Sequence, residues 1–249
     1  KTSMSSLMRI PRQALAAAVC AALTVTRPAA ADQTDSAVFD LSLRGIHAGT
    51  LSIGGAIKGT RYVVSGVLKS GGLVALVRKV RYDARASGTV IDGRFTPNRY
   101  EEDADTGKRQ SQSVMDYRNG IPQVKTYNPP RPPRNGDIDP ATQGGTVDPL
   151  TVLYAALRDV PQTEVCTLRV FMFDGRRRSQ VVLAAPQKAG DTVTCLGEYR
   201  RLEGFSEKEM AEKQRFPFRL IYRLADNGMM RAEEIVMDSL YGKGRLKRR

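Results

Sequence analysis

Apolar and polar side chains alternate along much of this chain. Phe39-Asp40-Leu41-Ser42-Leu43 alternates, and Thr50-Leu51-Ser52-Ile53 resumes the pattern after Gly45 and Gly49. A period of two sends neighbouring side chains to opposite faces, as in a half-buried strand. The same test predicts strands at 61–68, 80–84, 89–91, 109–118, 121–126, 165–173, 177–184, 191–203, 216–224 and 230–237, and Phe95 and Tyr100 lie beyond the turn at 92–93. Asp92-Gly93, Asp174-Gly175 and Asn227-Gly228 stand where tight turns belong. Many short strands at roughly ten-residue spacing predict a mainly β protein: a barrel, a sandwich or a curled sheet.

Two segments change period. Over 149–158, Leu150, Leu153, Tyr154 and Leu157 recur at the spacing of one helical face, with Asp148 as cap and Pro149 in the first turn. This amphipathic helix is expected to pack on the sheet or plug its mouth. Ser206-x-x-Glu209 reads as a capping box for a second, shorter helix that ends before Pro217. A turn is placed near 73–79. Between strand and helix, residues 127–146 hold Pro129, Pro130, Pro132 and Pro133, which exclude regular structure and predict a long surface loop.

The first residues are of another kind. Lys1, Arg9 and Arg12 precede an apolar run over 14–25, and Ala29-Ala30-Ala31 follows. Residues 1–31 are therefore expected to be a cleavable export signal cut after Ala31, with translation starting at Met4 or Met8. Residues 32–249 are expected to form one periplasmic domain, and no later stretch is apolar enough to span a membrane as a helix. The four cations of the leader leave +9 of the chain's net charge of +13, which favours anionic neighbours. Outside the cytoplasm those are lipid head groups and envelope polymers rather than nucleic acid. Cys20 would leave with the leader, and Cys166 and Cys195 would then form an even pair in an oxidising compartment. A disulfide between them would stabilise by about 3 kcal/mol in the chain-entropy model.

Catalytic machinery is sparse. A Ser-His-Asp triad would have to use the single histidine, His47, which is placed in an exposed turn at 45–49, and there is no Gly-x-Ser-x-Gly elbow. With one histidine and bridged cysteines, zinc lacks its usual ligands. Glu101, Glu102, Asp103 and Asp105 are read as a solvated acidic turn rather than a calcium loop. No cofactor and no metal are expected. The sharpest cluster is Arg176-Arg177-Arg178 beside the Asp174-Gly175 turn. Strand alternation would put Arg176 and Arg178 on one face, able to grip phosphate or carboxylate, with Arg177 turned away. The tail over 242–249 is a second basic patch, expected to be a disordered extension that could touch anionic lipid.

Phe39-Asp40-Leu41-x-Leu43-x-Gly45-Ile46-x-Ala48-Gly49, the Val147-Asp148-Pro149-Leu150 helix start and Phe173-Asp174-Gly175-Arg176-Arg177 resemble, in order, the bacterial exported family called domain of unknown function 3108. The resemblance covers about 35–241. It implies a periplasmic, β-rich fold in which a long antiparallel sheet curls into a spiral or half barrel with the helix packed on or in it. The chain also resembles, more distantly, curled-sheet envelope-integrity proteins of alphaproteobacteria. Neither comparison supplies catalytic residues. The function expected first is a non-enzymatic envelope protein that binds a lipid-like ligand or an envelope partner, with Arg176, Arg178, Leu150, Leu153, Tyr154 and Leu157 as candidate contacts. The alternatives are a scaffold with a filled interior and an enzyme acting on envelope polymers or lipids.

Overall fold

A computed structural model describes residues 32–77, 79–130, 132 and 136–249; the expected leader, 1–31, lies outside them. In chain order the elements are β1 (Gln33–Leu43), β2 (Ile46–Lys58), β3 (Arg61–Ser70), α1 (Gly72–Val77), β4 (Arg81–Ile91), β5 (Arg94–Asp105), β6 (Gln110–Arg118), β7 (Ile121–Asn128), α2 (Pro149–Leu157), β8 (Arg169–Phe173), β9 (Arg178–Ala189), β10 (Thr192–Glu203), α3 (Glu207–Glu212), β11 (Arg215–Leu224), β12 (Met230–Ser239) and β13 (Gly242–Arg248). The strands form one 13-stranded sheet in the order β7-β6-β5-β4-β3-β2-β1-β13-β12-β11-β10-β9-β8. Every neighbour pairs antiparallel.

The chain thus starts in the middle of the sheet and meanders to one edge. It crosses through α2 to the other edge and meanders back to its starting strand. Tight turns make the meander. Arg44-Gly45, Asp92-Gly93 and Asn119-Gly120 all have positive φ at both residues, the geometry that two-residue hairpins require. The sheet curls around α2, which packs against β3, β4 and β5 on one side and β8 and β12 on the other. It does not close. The seam between β7 and β8 is crossed by the segment before α2. Gly145 N–H donates to Gly120 O at 3.0 Å, Val147 N–H donates to Phe171 O at 2.9 Å, and Phe173 N–H donates to Val147 O at 2.9 Å.

The helix fits because the sheet makes room for it. A Cβ at Gly55 would lie 2.6 Å from the Tyr154 ring, and one at Gly66 would lie 2.7 Å from Leu150 Cδ1. Both glycines replace inward side chains under the helix, so its backbone approaches the sheet closely. The core then runs through Phe39, Leu51, Tyr62, Phe95, Leu220 and Tyr222. Tyr62 and Tyr154 both meet Phe95 edge-on, at centroid distances of 5.0 and 6.0 Å.

Several expectations are corrected. The basic tail is no loose extension: 242–248 is β13, hydrogen-bonded between β1 and β12. Its pattern hides it, because an arginine fills an apolar position. Arg248 faces inward, lies 5.3 Å from the Phe39 ring centroid and donates to Ala232 O at 2.8 Å. The strand expected at 165–173 starts only at Arg169, since Cys166 has a positive φ of 61° and turns the chain. The acidic run is not a turn but lies on β5, which sends its carboxylates to opposite faces. Outward, Glu101 pairs with Arg99 at 2.6 Å; inward, Glu102 accepts from the Tyr100 hydroxyl at 2.6 Å. His47 lies just inside β2, exposed, 3.9 Å from Asp40. Cys166 and Cys195 do form a disulfide, tying the approach to β8 onto β10.

Candidate ligand-binding site

The helical stripe singled out from the sequence is core. Leu150, Tyr154 and Leu157 are 4 %, 1 % and 1 % exposed, while Leu153 remains 36 % exposed. The other side of the helix is covered as well: Thr151, Val152, Ala155 and Ala156 are also buried. A helix enclosed by a curled sheet is packed nearly all round, so its apolar stripe is filled with side chains rather than left for a ligand. Polar groups anchor it inside. The Asp148 carboxylate accepts from Thr151 N–H at 2.8 Å and from the Thr151 hydroxyl at 2.6 Å, and that hydroxyl lies 2.8 Å from the Tyr62 hydroxyl. The Tyr222 hydroxyl donates to Ala156 O at 2.7 Å, and the Tyr154 hydroxyl donates to Asp35 at 2.8 Å. Burial pushes the Asp148 carboxyl up to about 6, against the Thr151 donors that lower it.

The seam-crossing segment leaves an opening on either side. Beyond the start of α2 lies a polar cleft of about 650 Å3. Arg176 and Arg177 line it together; Arg178 does not. That reverses the expected pairing, because 174–177 is a turn and β9 begins only at Arg178, so strand alternation does not apply there. Arg176 pairs with Asp137, and its buried Nη1 has no hydrogen-bond partner among the described residues. Arg177 pairs with Glu209 at 2.9 Å and lies 5.1 Å from the Phe205 ring centroid. Arg178 donates to Gln143 at 3.2 Å and covers the Phe171 ring. Asp174 accepts the N–H groups of Arg176 and Arg177 at 2.9 and 2.8 Å. Arg176 and Arg177 are thus each paired with a carboxylate at the cleft, while Arg178 has the Gln143 amide and the Phe171 ring as neighbours.

At the end of α2 lies a second cleft, of about 440 Å3. Its walls are Val147, Ala155, Val160, Leu168, Leu183 and Tyr222. Arg94 and Arg169 stand exposed at its rim and form no ion pair among the described residues. Deep in it, the Arg158 side chain is only 4 % exposed and pairs with Glu164. Arg158 Nη1 donates to Asp159 O at 3.1 Å, and its guanidinium lies 5.6 Å from the Phe95 ring centroid. Arg158 Nε is buried with no hydrogen-bond partner among the described residues. A buried guanidinium N–H without an acceptor costs about 1–3 kcal/mol. The disulfide borders this cleft, since Thr167 and Leu168 directly follow Cys166.

None of these cleft residues was expected from the sequence to contact a ligand. They come from the β4–β5 turn, the segment before α2, the end of α2, the start of β8, β9 and β11, which only the curl brings together. The one local signal is Arg158, a cation directly after an apolar helix.

This geometry defines an open, helix-filled, barrel-like protein with an amphipathic cleft at one end of its seam. The chain belongs to the family described as protein of unknown function (DUF3108), whose model matches residues 38–202. The match stops within β10, although β11–β13 complete the same sheet. Among solved structures, the chain is similar to a beta-barrel-like protein of domain of unknown function DUF1849 from Brucella abortus. The TM-score is 0.45 at 15 % identity, over 86 % of this chain and 94 % of that one. No curated protein matches.

Proposed function

We propose that this is an exported, non-enzymatic protein of the bacterial envelope that binds an acidic amphiphile in the cleft at the end of α2. The observation that carries it is the pairing of apolar walls with a basic lining, the buried Arg158 and the exposed Arg94 and Arg169, which form no ion pair among the described residues. A carboxylate or phosphate would face Arg158 and the rim cations Arg94 and Arg169, and the apolar body would lie against Ala155, Leu183 and Tyr222. The volume is in the range of small-ligand sites. The disulfide fits an oxidising compartment, and no helix among the described residues is long and apolar enough to cross a membrane.

The test is lipid extraction and native mass spectrometry on purified protein, followed by titration with a fluorescent fatty acid. A bound acidic lipid is expected. Arg94→Ala with Arg169→Ala should weaken the fatty acid about tenfold, and Leu168→Trp should block it. No co-purifying lipid together with unchanged titration in both variants would end the proposal. A scaffolding role is the second possibility, supported by the filled interior around α2. Crosslinking to an envelope partner that survives Leu168→Trp would favour it.

A further inference from the structure

Ten large apolar side chains are exposed among the described residues, and most stand singly. Four do not. Leu76 is 83 % exposed, Tyr241 72 %, Ile46 53 % and Val74 37 %. All four lie on one rim of the sheet, built from the β1–β2 turn, the β12–β13 turn and α1. The pieces touch. Arg44 N–H donates to Lys243 O at 2.8 Å, and Arg44 Nε donates to Tyr241 O at 2.7 Å. Gly71 N–H donates to Ala48 O at 2.9 Å, and a Cβ on Gly72 would lie 2.8 Å from His47 O, which seats the start of α1 against β2.

Cations ring this apolar edge. Arg44, Lys69, Lys79 and Lys243 are exposed, and among the described residues none of them forms an ion pair. The acid facing Lys243 across the β12–β13 register is Asp238, and the two make no ion pair. On the convex surface Arg99 pairs with Glu101 along its own strand and with Asp116 across strands, and Arg245 pairs with Glu234, while Arg85 and Arg219 are exposed without an ion pair among the described residues. What sets the rim apart is that its free cations surround exposed leucine, isoleucine, valine and tyrosine. It is the surface that an anionic bilayer recognises: apolar side chains enter the interface, tyrosine sits at head-group depth, and lysines meet lipid phosphates.

We infer that the α1 rim docks this protein edge-on to an anionic lipid surface. The inference is independent of the ligand cleft, which lies at the other end of α2. The chain has no tryptophan, so Tyr241→Trp installs a single reporter on the rim, and Val63→Trp, made separately, is a control on the convex face away from it. On mixing the full chain with phosphatidylglycerol vesicles, emission from the rim reporter should shift to the blue and emission from the control should not. Phosphatidylcholine vesicles should shift neither. Lys69→Gln, Lys79→Gln and Lys243→Gln together should weaken the partition on the order of 100-fold, at about fivefold for each cation. Leu76→Gln should weaken it further. An unshifted rim reporter, an equal shift on phosphatidylcholine, or a partition that the triple lysine variant leaves unchanged would overturn the inference. So would a shift that tracks protein concentration without vesicles, which would make the rim a contact between two copies of the chain.

Discussion

Asp148 shows how one residue sets both local structure and pH response. It caps α2 from a fully buried position. Burial lifts its carboxyl from the usual 3.8 to about 6, so between those values the folded state holds a proton that the unfolded chain releases. Stability should therefore be highest below about pH 4 for this group and fall as pH rises to about 6, by on the order of 3 kcal/mol. Chemical denaturation across that range should show the slope. Asp148→Asn keeps an acceptor for Thr151 N–H and carries no charge, so it should flatten the slope; an unchanged slope would assign it to another group. Asp148→Ala removes the cap and should cost about 1–2 kcal/mol at neutral pH.

Among elements, α2 and the segment that follows it decide whether the sheet can curl. Gly66→Val would drive two methyl groups into Leu150, and overpacking of this kind costs about 1–3 kcal/mol. A urea midpoint equal to that of the unchanged protein would mean that the helix sits less tightly than described. The Cys166–Cys195 bridge spans a separation of 29 residues. Cys166→Ala with Cys195→Ala should lower stability by about 3 kcal/mol, and should loosen fatty-acid binding as well, because the bridge holds a cleft wall. The elements were largely legible in the sequence. The β period, the Asp92-Gly93 turn, the Asp148-Pro149 helix start and the capping box at Ser206 all act within a few residues. What escaped acts at long range. β13 lacks an apolar stripe because its inward positions are Gly242, Gly244, Leu246 and Arg248, only one of them apolar with a side chain of any size. The Arg176–Arg178 pairing failed because a turn, not a strand, holds Arg176. The cleft at Arg158 could not be read, since its walls meet only after the sheet has curled around the helix.

At the scale of the molecule, the strand order makes the two ends of the sheet-forming chain neighbours. Phe39 stands opposite Arg248 and Leu41 opposite Leu246 in the β1–β13 register. Arg249 reaches Asp40 across a separation of 209 residues. Ending the chain after Ser239 would thus remove a strand from the middle of the sheet and expose the edges of β1 and β12. Such a truncation should abolish cooperative unfolding rather than trim a tail, as thermal melts followed by circular dichroism would show. A melt like that of the intact protein would contradict the strand order. Contacts this distant in sequence also slow assembly, since a long loop must close before they form. For a growing polypeptide this means that no early stopping point exists: until β13 emerges, the two half-sheets meet only through α2 and the seam segment, and the gap between β1 and β12 stays open.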